Sequence, residues 1–188
     1  VDLTTGTFSK SFASLGGFIA GSHEVIEYIR HTASAHIFSA SMPPANVATV
    51  LACLDILEAE PERLTRLDAV ADTMRDGFRN LGFDVWSSQT PIIPVVIGND
   101  MTCLAFWNDL LEEGVFVNPV VPPAVPRGQS LMRTSYMATH SDEELQEILA
   151  IFKRVGVRHG IVTEDGKPGR LVGNHGDAMG EAVPPSMG

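Results

Sequence analysis

The stretch VDLTTGTFSKSFASLGGFIAG, from Val1 to Gly21, decides how the rest of this chain is interpreted. A β-prone run brings hydroxyl groups at Thr7 and Ser9 next to Lys10. A pair of glycines, Gly16 and Gly17, follows and is expected to allow a positive φ or a close approach of the backbone before the next strand. A lysine amine that meets an aldehyde forms a Schiff base, and small hydroxyl donors beside it can hold a phosphate group. The alternative is a surface lysine in a loop rich in serine and glycine, because short motifs often occur by chance.

Two later segments extend this pattern. Residues 36–44 read HIFSASMPP, and residues 131–141 read LMRTSYMATHS. With the run TFSKS at residues 7–11, they resemble, in the same order, three motifs of the α-oxoamine synthases, which are pyridoxal phosphate (PLP) enzymes. Within that family the resemblance is strongest to the serine palmitoyltransferase branch. It rests on the segment GTFSKS at residues 6–11 and on the segment PPAVP at residues 122–126.

The resemblance implies an α/β fold of the PLP-dependent transferase type, which is aspartate-aminotransferase-like. Residues 1–60 are expected to form the end of the large PLP-binding domain, residues 61–162 a small C-terminal α+β domain, and residues 163–188 a flexible tail. In the family the lysine motif lies past the middle of the polypeptide. The chain is therefore interpreted as the C-terminal part of a larger enzyme, whose upstream part carries the groups that stack on the cofactor ring and pair with its nitrogen.

Hydrophobic periodicity and turn residues predict the local elements. Gly82 is a predicted helix C-cap, and Ser141 begins a capping box with Glu144. Strands are predicted at residues 1–5, 17–20, 84–86, 93–97, 115–118 and 131–136, and the first two are expected to be buried. Helices are predicted at residues 23–33, from 44 to a break at 60–61, from there to 81, at 101–113, and after the capping box.

Apolar residues at helical spacing predict a core face on three of these helices. These residues are Val47, Val50, Leu51, Leu54 and Leu57 in the second helix, Leu64, Leu67, Val70, Met74 and Phe78 in the third, and Leu145, Ile148, Leu149, Phe152 and Val155 in the helix after the capping box.

Three residues of the lysine motif receive roles from the resemblance. Lys10 is expected to form the Schiff base with PLP and to move protons once the substrate amine has displaced it. Thr7 and Ser9 are candidates for binding the cofactor phosphate, and turn-forming hydroxyls are the alternative for both. A partly dry setting for the amine is predicted from its apolar neighbours, which are Phe8, Phe12 and Leu15.

Ser39 and Ser41 precede a helix that Pro43 and Pro44 open. In the family this segment reaches the cofactor phosphate of the neighbouring subunit, and the N–H groups of a helix N-terminus favour an anion. The resemblance thus implies a homodimer with shared active sites. Simple capping of the helix by Ser41 is the alternative.

Arg133 lies in a predicted strand among apolar neighbours. The resemblance implies a bidentate clamp on the carboxylate of the amino-acid substrate. The alternative is a half-exposed arginine whose aliphatic stem packs on the strand. His140 is interpreted as a structural or interface histidine. The spacing of His23, His31 and His36 is not that of metal ligands, so no metal site is predicted at these three histidines.

The reaction implied by the resemblance is an acyl transfer. A PLP-dependent acyltransferase would condense L-serine with a long-chain acyl-CoA, release CO₂ and give a 3-keto sphingoid base. Glycine or alanine as the amino acid, as in aminoketobutyrate ligase or 8-amino-7-oxononanoate synthase, stays open within the family. A non-catalytic partner subunit is the alternative outside it, although paralogues of that kind lack the lysine that is present here as Lys10.

The composition of this 188-residue chain restricts its expected partners and its expected cellular compartment. A formal net charge of -10 argues against a nucleic-acid partner. No apolar run approaches the roughly 20 residues that span a bilayer, so at most a peripheral membrane contact is expected. Two cysteines, Cys53 and Cys103, are too few for a disulfide framework. They favour a reducing compartment and hence a cytoplasmic location.

Overall fold

The computed structural model of this protein describes residues 1–169. Two compact units follow one another along the chain, Val1–Arg63 and the residues from Leu64 onward. Among the described residues, no helix is both long enough and apolar enough to cross a membrane.

The first unit consists of a two-stranded antiparallel sheet and three helices. Strand β1 (Leu3–Thr7) pairs with β2 (Gly17–Gly21), so that Leu3 lies opposite Gly21 and Thr7 lies opposite Gly17. The helices are α1 (His23–Thr32), α2 (Ser34–Ile37) and α3 (Pro44–Ala59). The predictions for β1, β2, α1 and α3 are confirmed to within about two residues, which is the usual uncertainty of element ends. The short helix α2 is not predicted.

Strands β1 and β2 and helix α3 are exposed, and the prediction that they form core is wrong. Every residue of β2 is exposed, and α3 contains no buried residue. An apolar face becomes core only when a second layer covers it, and residues 1–63 do not supply one. The predicted core face of α3 is therefore exposed or half-buried at Val47, Val50, Leu51, Leu54 and Leu57.

The second unit is an α+β structure around a three-stranded sheet. The sheet has the order β3-β5-β4 and is antiparallel throughout. Helix α4 runs from the end of the first unit into the second. The elements are α4 (Glu62–Asn80), β3 (Ile92–Gly98), α5 (Asp100–Glu112), β4 (Asn118–Val120), β5 (Ser130–Ser135) and α6 (Asp142–Arg158).

Aromatic rings form the centre of the second unit. The ring of Phe152 lies 4.9 Å from that of Phe78, 5.7 Å from that of Phe106 and 6.0 Å from that of Phe83. The ring planes are steeply inclined, at 62–82° in these three pairs, which is a favoured geometry for aromatic contacts. Helices α4, α5 and α6 thus meet at one apolar cluster beside the sheet.

The apolar stripes predicted for α4 and α6 largely face this core. Buried residues recur at helical spacing in α4 (Val70, Met74, Phe78) and in α6 (Leu145, Leu149, Phe152, Val155). Leu64 was predicted to point inward as well. Its side chain is exposed, because it begins the stripe at the end of α4 that lies farthest from the aromatic cluster.

Both predicted helix-end signals are confirmed. Gly82 has a φ of +86°, and the Phe83 N–H donates to the Phe78 carbonyl, as in a left-handed helix termination. At α6, the Glu144 N–H donates to Ser141 Oγ over 3.2 Å, and the Ser141 N–H donates to Glu144 Oε2 over 2.7 Å. This is the reciprocal capping box that the sequence predicts.

Two strand predictions are wrong, in whole or in part. Residues 84–86 form no strand, although the Asp84 carbonyl accepts the Val96 N–H of β3 over 2.8 Å. Asp84 Oδ1 accepts the Trp86 N–H over 3.0 Å, and Trp86, with a φ of +48°, begins a turn. A side chain that bonds its own backbone in this way competes with strand pairing. The strand expected at 115–118 begins only at Asn118, because the Val115 N–H still donates to the Leu110 carbonyl at the end of α5.

Residues 163–169 form a defined turn, which differs from the flexible tail predicted from residue 163. The Thr163 N–H donates to the Lys167 carbonyl over 2.9 Å, and Val162 and Pro168 form an antiparallel bridge. A Cβ on Gly82 would lie 2.6 Å from the backbone carbon of Lys167, so this turn packs against the end of α4. The rest of the predicted tail, residues 170–188, lies outside the described residues.

Candidate active site

Lys10 lies in a closed loop between β1 and β2, which we call the lysine loop (residues 8–16). The Phe8 N–H donates to the Gly16 carbonyl over 3.0 Å, and the Ser14 N–H donates to the Phe8 carbonyl over 2.9 Å. The Ala13 N–H donates to the carbonyl of Lys10 itself, also over 2.9 Å. Three backbone hydrogen bonds therefore fix the path of the chain on both sides of the lysine.

The glycine pair after the lysine allows this loop to close. Gly16 has a φ of +86°, and a Cβ there would lie 2.6 Å from the sulfur of Met42. A Cβ on Gly17 would contact the carbonyl oxygen of Gly6 on the facing strand. Both the positive φ and the close approach that the Gly-Gly pair predicts are confirmed.

The amine of Lys10 is part of a small polar cluster. Lys10 Nζ donates to Ser9 Oγ over 3.0 Å, and Ser9 Oγ lies 2.9 Å from Thr7 Oγ1. The Ser9 backbone N–H also donates to Thr7 Oγ1, over 3.3 Å. The structure thus brings together the three residues that the sequence predicts as cofactor contacts, where the end of β1 meets the lysine loop.

The partly dry setting predicted for the amine is wrong for this chain. Lys10 is exposed, and Leu15 is 63% exposed. Phe8 and Phe12 are half-buried, because their rings pack on each other with centroids 5.4 Å apart. The two rings cover each other and leave the lysine in contact with solvent.

Ser39 and Ser41 lie on the segment between α2 and α3. Ser39 Oγ donates to the carbonyl of Ala35, which holds it at the end of α2. The N-cap of α3 is Pro43 and has no side-chain hydrogen bond, so the alternative that Ser41 caps this helix is wrong. Among residues 1–169, no hydrogen bond joins either serine to the polar cluster of the lysine loop.

Arg133 lies at the middle of β5 in the second unit. It pairs with Asn118 on β4 and with Pro94 on β3, and its side chain is on the exposed face of the sheet. Its neighbours Met132 and Thr134 are buried on the opposite face. The arginines that form ion pairs within residues 1–169 are Arg30, Arg63, Arg66, Arg75, Arg79, Arg154 and Arg158. Arg133 is therefore held by the sheet, and its guanidinium forms no ion pair with another of the described residues.

His140 has a structural role in the turn before α6. Its Nδ1 accepts the Met137 N–H over 3.1 Å, and its ring lies edge-on to that of Tyr136. Its carbonyl accepts a hydrogen bond of 2.8 Å from Arg66. Within the described part of the chain, no group of three His, Cys, Asp or Glu side chains is arranged to hold a metal ion.

A cavity of about 450 Å³ in the second unit was not predicted. The segment after α5, the end of β5 and one side of α6 line it, and its polar side chains include those of Glu113, Tyr136, His140, Glu144 and Glu147. Burial raises the pKa of the Tyr136 hydroxyl. Residues from three separate elements form this cavity, so no local pattern in the sequence could have indicated it.

Comparison with known proteins identifies the family. Residues 1–152 match the profile of the aminotransferase class I and II family, and the chain belongs to this family.

Individual relatives place the chain more narrowly. Serine palmitoyltransferase of Bacteriovorax stolpii is 53% identical over 152 residues, which cover 81% of this chain and 36% of the relative. A putative 8-amino-7-oxononanoate synthase 2 of Mycobacterium tuberculosis (strain ATCC 25618 / H37Rv) is 47% identical over 152 residues, 81% of this chain and 20% of that protein. These two relatives confirm the resemblance to the α-oxoamine synthases.

Solved structures confirm the predicted fold class. Serine palmitoyltransferase of Sphingomonas wittichii matches with a TM-score of 0.80 and 35% identity, over 86% of this chain and 41% of that one. A structure described as SPT with PLP internal aldimine matches with a TM-score of 0.81 and 32% identity, over the same shares. The chain therefore has part of a PLP-dependent transferase fold and spans about two fifths of the length of these structures.

Proposed function

We propose that this chain is the lysine-bearing C-terminal part of a PLP-dependent α-oxoamine synthase that joins L-serine to a long-chain acyl-CoA. The new carbon–carbon bond forms between the serine Cα and the thioester carbon. Free CoA and CO₂ leave, and a 3-keto sphingoid base remains. The observation that carries this proposal is the cluster in which the Lys10 amine lies 3.0 Å from Ser9 Oγ, in a chain of this family.

The groups in the lysine loop fit PLP. A primary amine is the group that condenses with the cofactor's aldehyde. The Ser9 and Thr7 hydroxyls, 2.9 Å apart, are the kind of small donors that a phosphate group accepts from. When bound, PLP supplies an electron sink for the carbanion at the substrate Cα.

Each residue of the chain would then have a defined role. Lys10 would hold the cofactor at its aldehyde carbon until the substrate amine replaces it, and its free amine would then take a proton from the serine Cα and return one. Thr7 and Ser9 would hold the phosphate, which would keep the aldehyde within reach of Lys10. Arg133 binds the serine carboxylate with its planar fork, for which its exposed position on a paired strand is well suited.

The complete enzyme is proposed to be a homodimer with shared active sites. Ser39 and Ser41 would contact the cofactor phosphate of the neighbouring subunit. Their exposure, and the exposed apolar residues along α3, support a role at a surface that other residues cover. The cytoplasmic location stays a prediction from the two free cysteines.

Glycine or alanine as the amino acid is the alternative within the family. The 47% identity with a putative 8-amino-7-oxononanoate synthase favours keeping it. A non-catalytic partner subunit is less well supported, because Lys10 and both neighbouring hydroxyls are present.

A product assay tests the proposal. The full-length polypeptide would be purified with PLP and offered serine, glycine or alanine, each with long-chain and short-chain acyl-CoA. We expect a product by mass spectrometry only with serine and the long-chain thioester, with one CO₂ released per CoA. A product with glycine or alanine alone would support the alternative, and no product with any pair would contradict both.

A further inference from the structure

Ser14 is the only buried residue among residues 1–63, at 7% exposure. This is unexpected, because its neighbours on the lysine loop include exposed apolar side chains such as Leu15. A hydroxyl that loses its water needs hydrogen-bond partners within the protein. In this unit, burial therefore coincides with a specific polar contact and not with an apolar core.

The partner of Ser14 is Asn46, 32 residues later in the chain. Ser14 Oγ donates to the Asn46 carbonyl over 3.0 Å and accepts from Asn46 Nδ2 over 3.2 Å. The hydroxyl thus uses its one proton and a lone pair on the same residue. Two bonds of opposite sense fix the orientation of the hydroxyl as well as its position.

Asn46 is in the first turn of α3, which begins at Pro44. Its own N–H donates to the Pro43 carbonyl over 3.0 Å, so its backbone is already fixed by the helix. A second, weaker link lies nearby, where Cys53 Sγ is 3.6 Å from the Phe12 carbonyl. The lysine loop is therefore attached to a helix that has a regular backbone of its own.

This attachment reaches Lys10 through the backbone. The Ala13 N–H, next to Ser14, donates to the Lys10 carbonyl over 2.9 Å, and Ala13 has a φ of +47°. A left-handed conformation costs free energy in a residue with a Cβ, and it persists only where the surroundings impose it. Among residues 1–169, the bond from Lys10 Nζ to Ser9 Oγ is the only hydrogen bond of the Lys10 side chain.

We propose that Ser14 and Asn46 are a pair of positioning residues, which hold the lysine loop on the first turn of α3 and so direct the Lys10 amine. Neither residue touches Lys10 or a reacting group, so both act through the backbone. This inference rests on the proposed function for its purpose, since a Schiff-base lysine must meet one atom of its cofactor. The geometry of the pair does not depend on that function.

The test uses the full-length polypeptide without cofactor, so that loop order is measured independently of PLP. Hydrogen exchange would report the amides of residues 8–16, and limited acylation followed by mass spectrometry would report the reactivity of Lys10. The variants are Ser14→Ala, Ser14→Thr, Asn46→Ala and the double variant Ser14→Ala/Asn46→Ala. Ser22→Ala is the matched control, because Ser22 precedes α1 without a side-chain cap bond.

Ser14→Ala removes both hydrogen bonds, and we expect exchange at the hydrogen-bonded amides of Ala13 and Ser14 to rise about 5- to 30-fold. Asn46→Ala removes only the Nδ2 bond, so a smaller rise is expected. The double variant should equal Ser14→Ala, because the Asn46 side chain has then no partner left to lose. Ser14→Thr keeps the hydroxyl and should retain slow exchange, and Ser22→Ala should leave it unchanged.

A functional readout separates positioning from mere stability. With PLP and borohydride, Ser14→Ala should form the adduct on Lys10 several-fold more slowly than the wild-type protein, and Ser14→Thr should restore the rate. Unchanged exchange and unchanged Lys10 acylation in Ser14→Ala and Asn46→Ala would overturn the inference. If Ser14→Ala does not fold, Asn46→Ala and Ser14→Thr still test whether Ser14 and Asn46 position the lysine loop. A wild-type protein without any adduct would refute the proposed function and leave the loop measurements valid.

Discussion

The amine of Lys10 donates a hydrogen bond of 3.0 Å to the hydroxyl of the residue before it, Ser9. Ser9 is in turn joined to Thr7 at the end of β1, so the amine contacts one hydroxyl and that hydroxyl contacts a second. All three side chains come from residues 7–10, and no other part of the chain is needed to form the cluster. A phosphate that displaced the amine from Ser9 would find both hydroxyls already side by side.

The first prediction is that Lys10 carries the cofactor. Borohydride reduction of the full-length protein with PLP, followed by peptide mapping, should place one pyridoxyl adduct on Lys10. Lys10→Ala should remove the adduct and the turnover. Lys153→Ala is the matched control, because Lys153 lies on α6 and faces Glu164 at 4.0 Å. An adduct on Lys153 or Lys167 in the wild-type protein would contradict the assignment.

A second prediction concerns Ser41 and the partner's cofactor. If its hydroxyl donates to the phosphate across the interface, Ser41→Ala loses a hydrogen bond to a charged group, worth about 1.5–3 kcal/mol. The dissociation constant for PLP should then rise roughly 10- to 150-fold. Fluorescence titration of the cofactor-free dimer measures it. Ser34→Ala, at the start of α2, is the control and should bind PLP like the wild-type protein.

Local signals in the sequence were enough to predict the ends of several elements. The Ser141–Glu144 capping box and the turn at Gly82 depend on residues that are close in the chain, and both are found. The strand expected at residues 84–86 fails for an equally local reason, because Asp84 binds the Trp86 N–H and bends the backbone. Strand periodicity alone could not detect that bond.

Long-range features were not predictable in the same way. The contact between Ser14 and Asn46 joins residues 32 positions apart, and no spacing rule connects a loop serine with a helical asparagine. The exposure of Lys10 could not be derived either, since it depends on what covers β1, β2 and α3. Motif resemblance identified the lysine, but its surroundings follow from packing.

The third prediction concerns the charged residues that connect α5 and α6. Hydrogen bonds from His159, at 2.9 Å, and from Arg158, at 3.2 Å, hold the pKa of Asp109 below its ordinary value of 3.8. Arg154 and then Arg158 likewise hold the pKa of Glu113 below its ordinary value of 4.5. A carboxyl with a lowered folded pKa stabilises the fold above its unfolded pKa, and this contribution disappears as the pH falls through the folded value.

Asp109→Asn should therefore lower the thermal unfolding midpoint at pH 7. The difference from the wild-type protein should shrink once the pH falls below about 3.8, the ordinary value for Asp109. Asp68→Asn is the control, because Asp68 is an exposed residue of α4 without an ion pair among residues 1–169. A difference that stays constant between pH 7 and pH 3 would show that the loss is steric and not electrostatic.

The fourth prediction tests the aromatic centre of the second unit. Phe152 is completely buried and contacts the rings of Phe78, Phe83 and Phe106. Phe152→Ala should lower the free energy of unfolding by about 3–5 kcal/mol, because it removes buried surface and leaves a cavity. Phe116 is 75% exposed, and Phe116→Ala should have little effect. Urea unfolding followed by circular dichroism compares the two, and equal losses would refute this account of the core.

The last prediction concerns Arg133. If its guanidinium binds the serine carboxylate, Arg133→Ala should weaken serine binding and leave the bound cofactor's spectrum intact. Loss of a charge-assisted contact of about 1.5–3 kcal/mol corresponds to a roughly 10- to 150-fold higher dissociation constant for serine. Arg133→Lys should recover only part of the affinity, since an ammonium group cannot reproduce the planar fork. Arg79→Ala, at the end of α4 beside Asp76, is the matched control.

If Arg133 only packs its stem on the sheet, Arg133→Ala should lower the unfolding midpoint and leave serine affinity unchanged. Spectral titration of the folded variants with serine separates the two roles, and an unchanged affinity in Arg133→Ala would exclude Arg133 from the binding site.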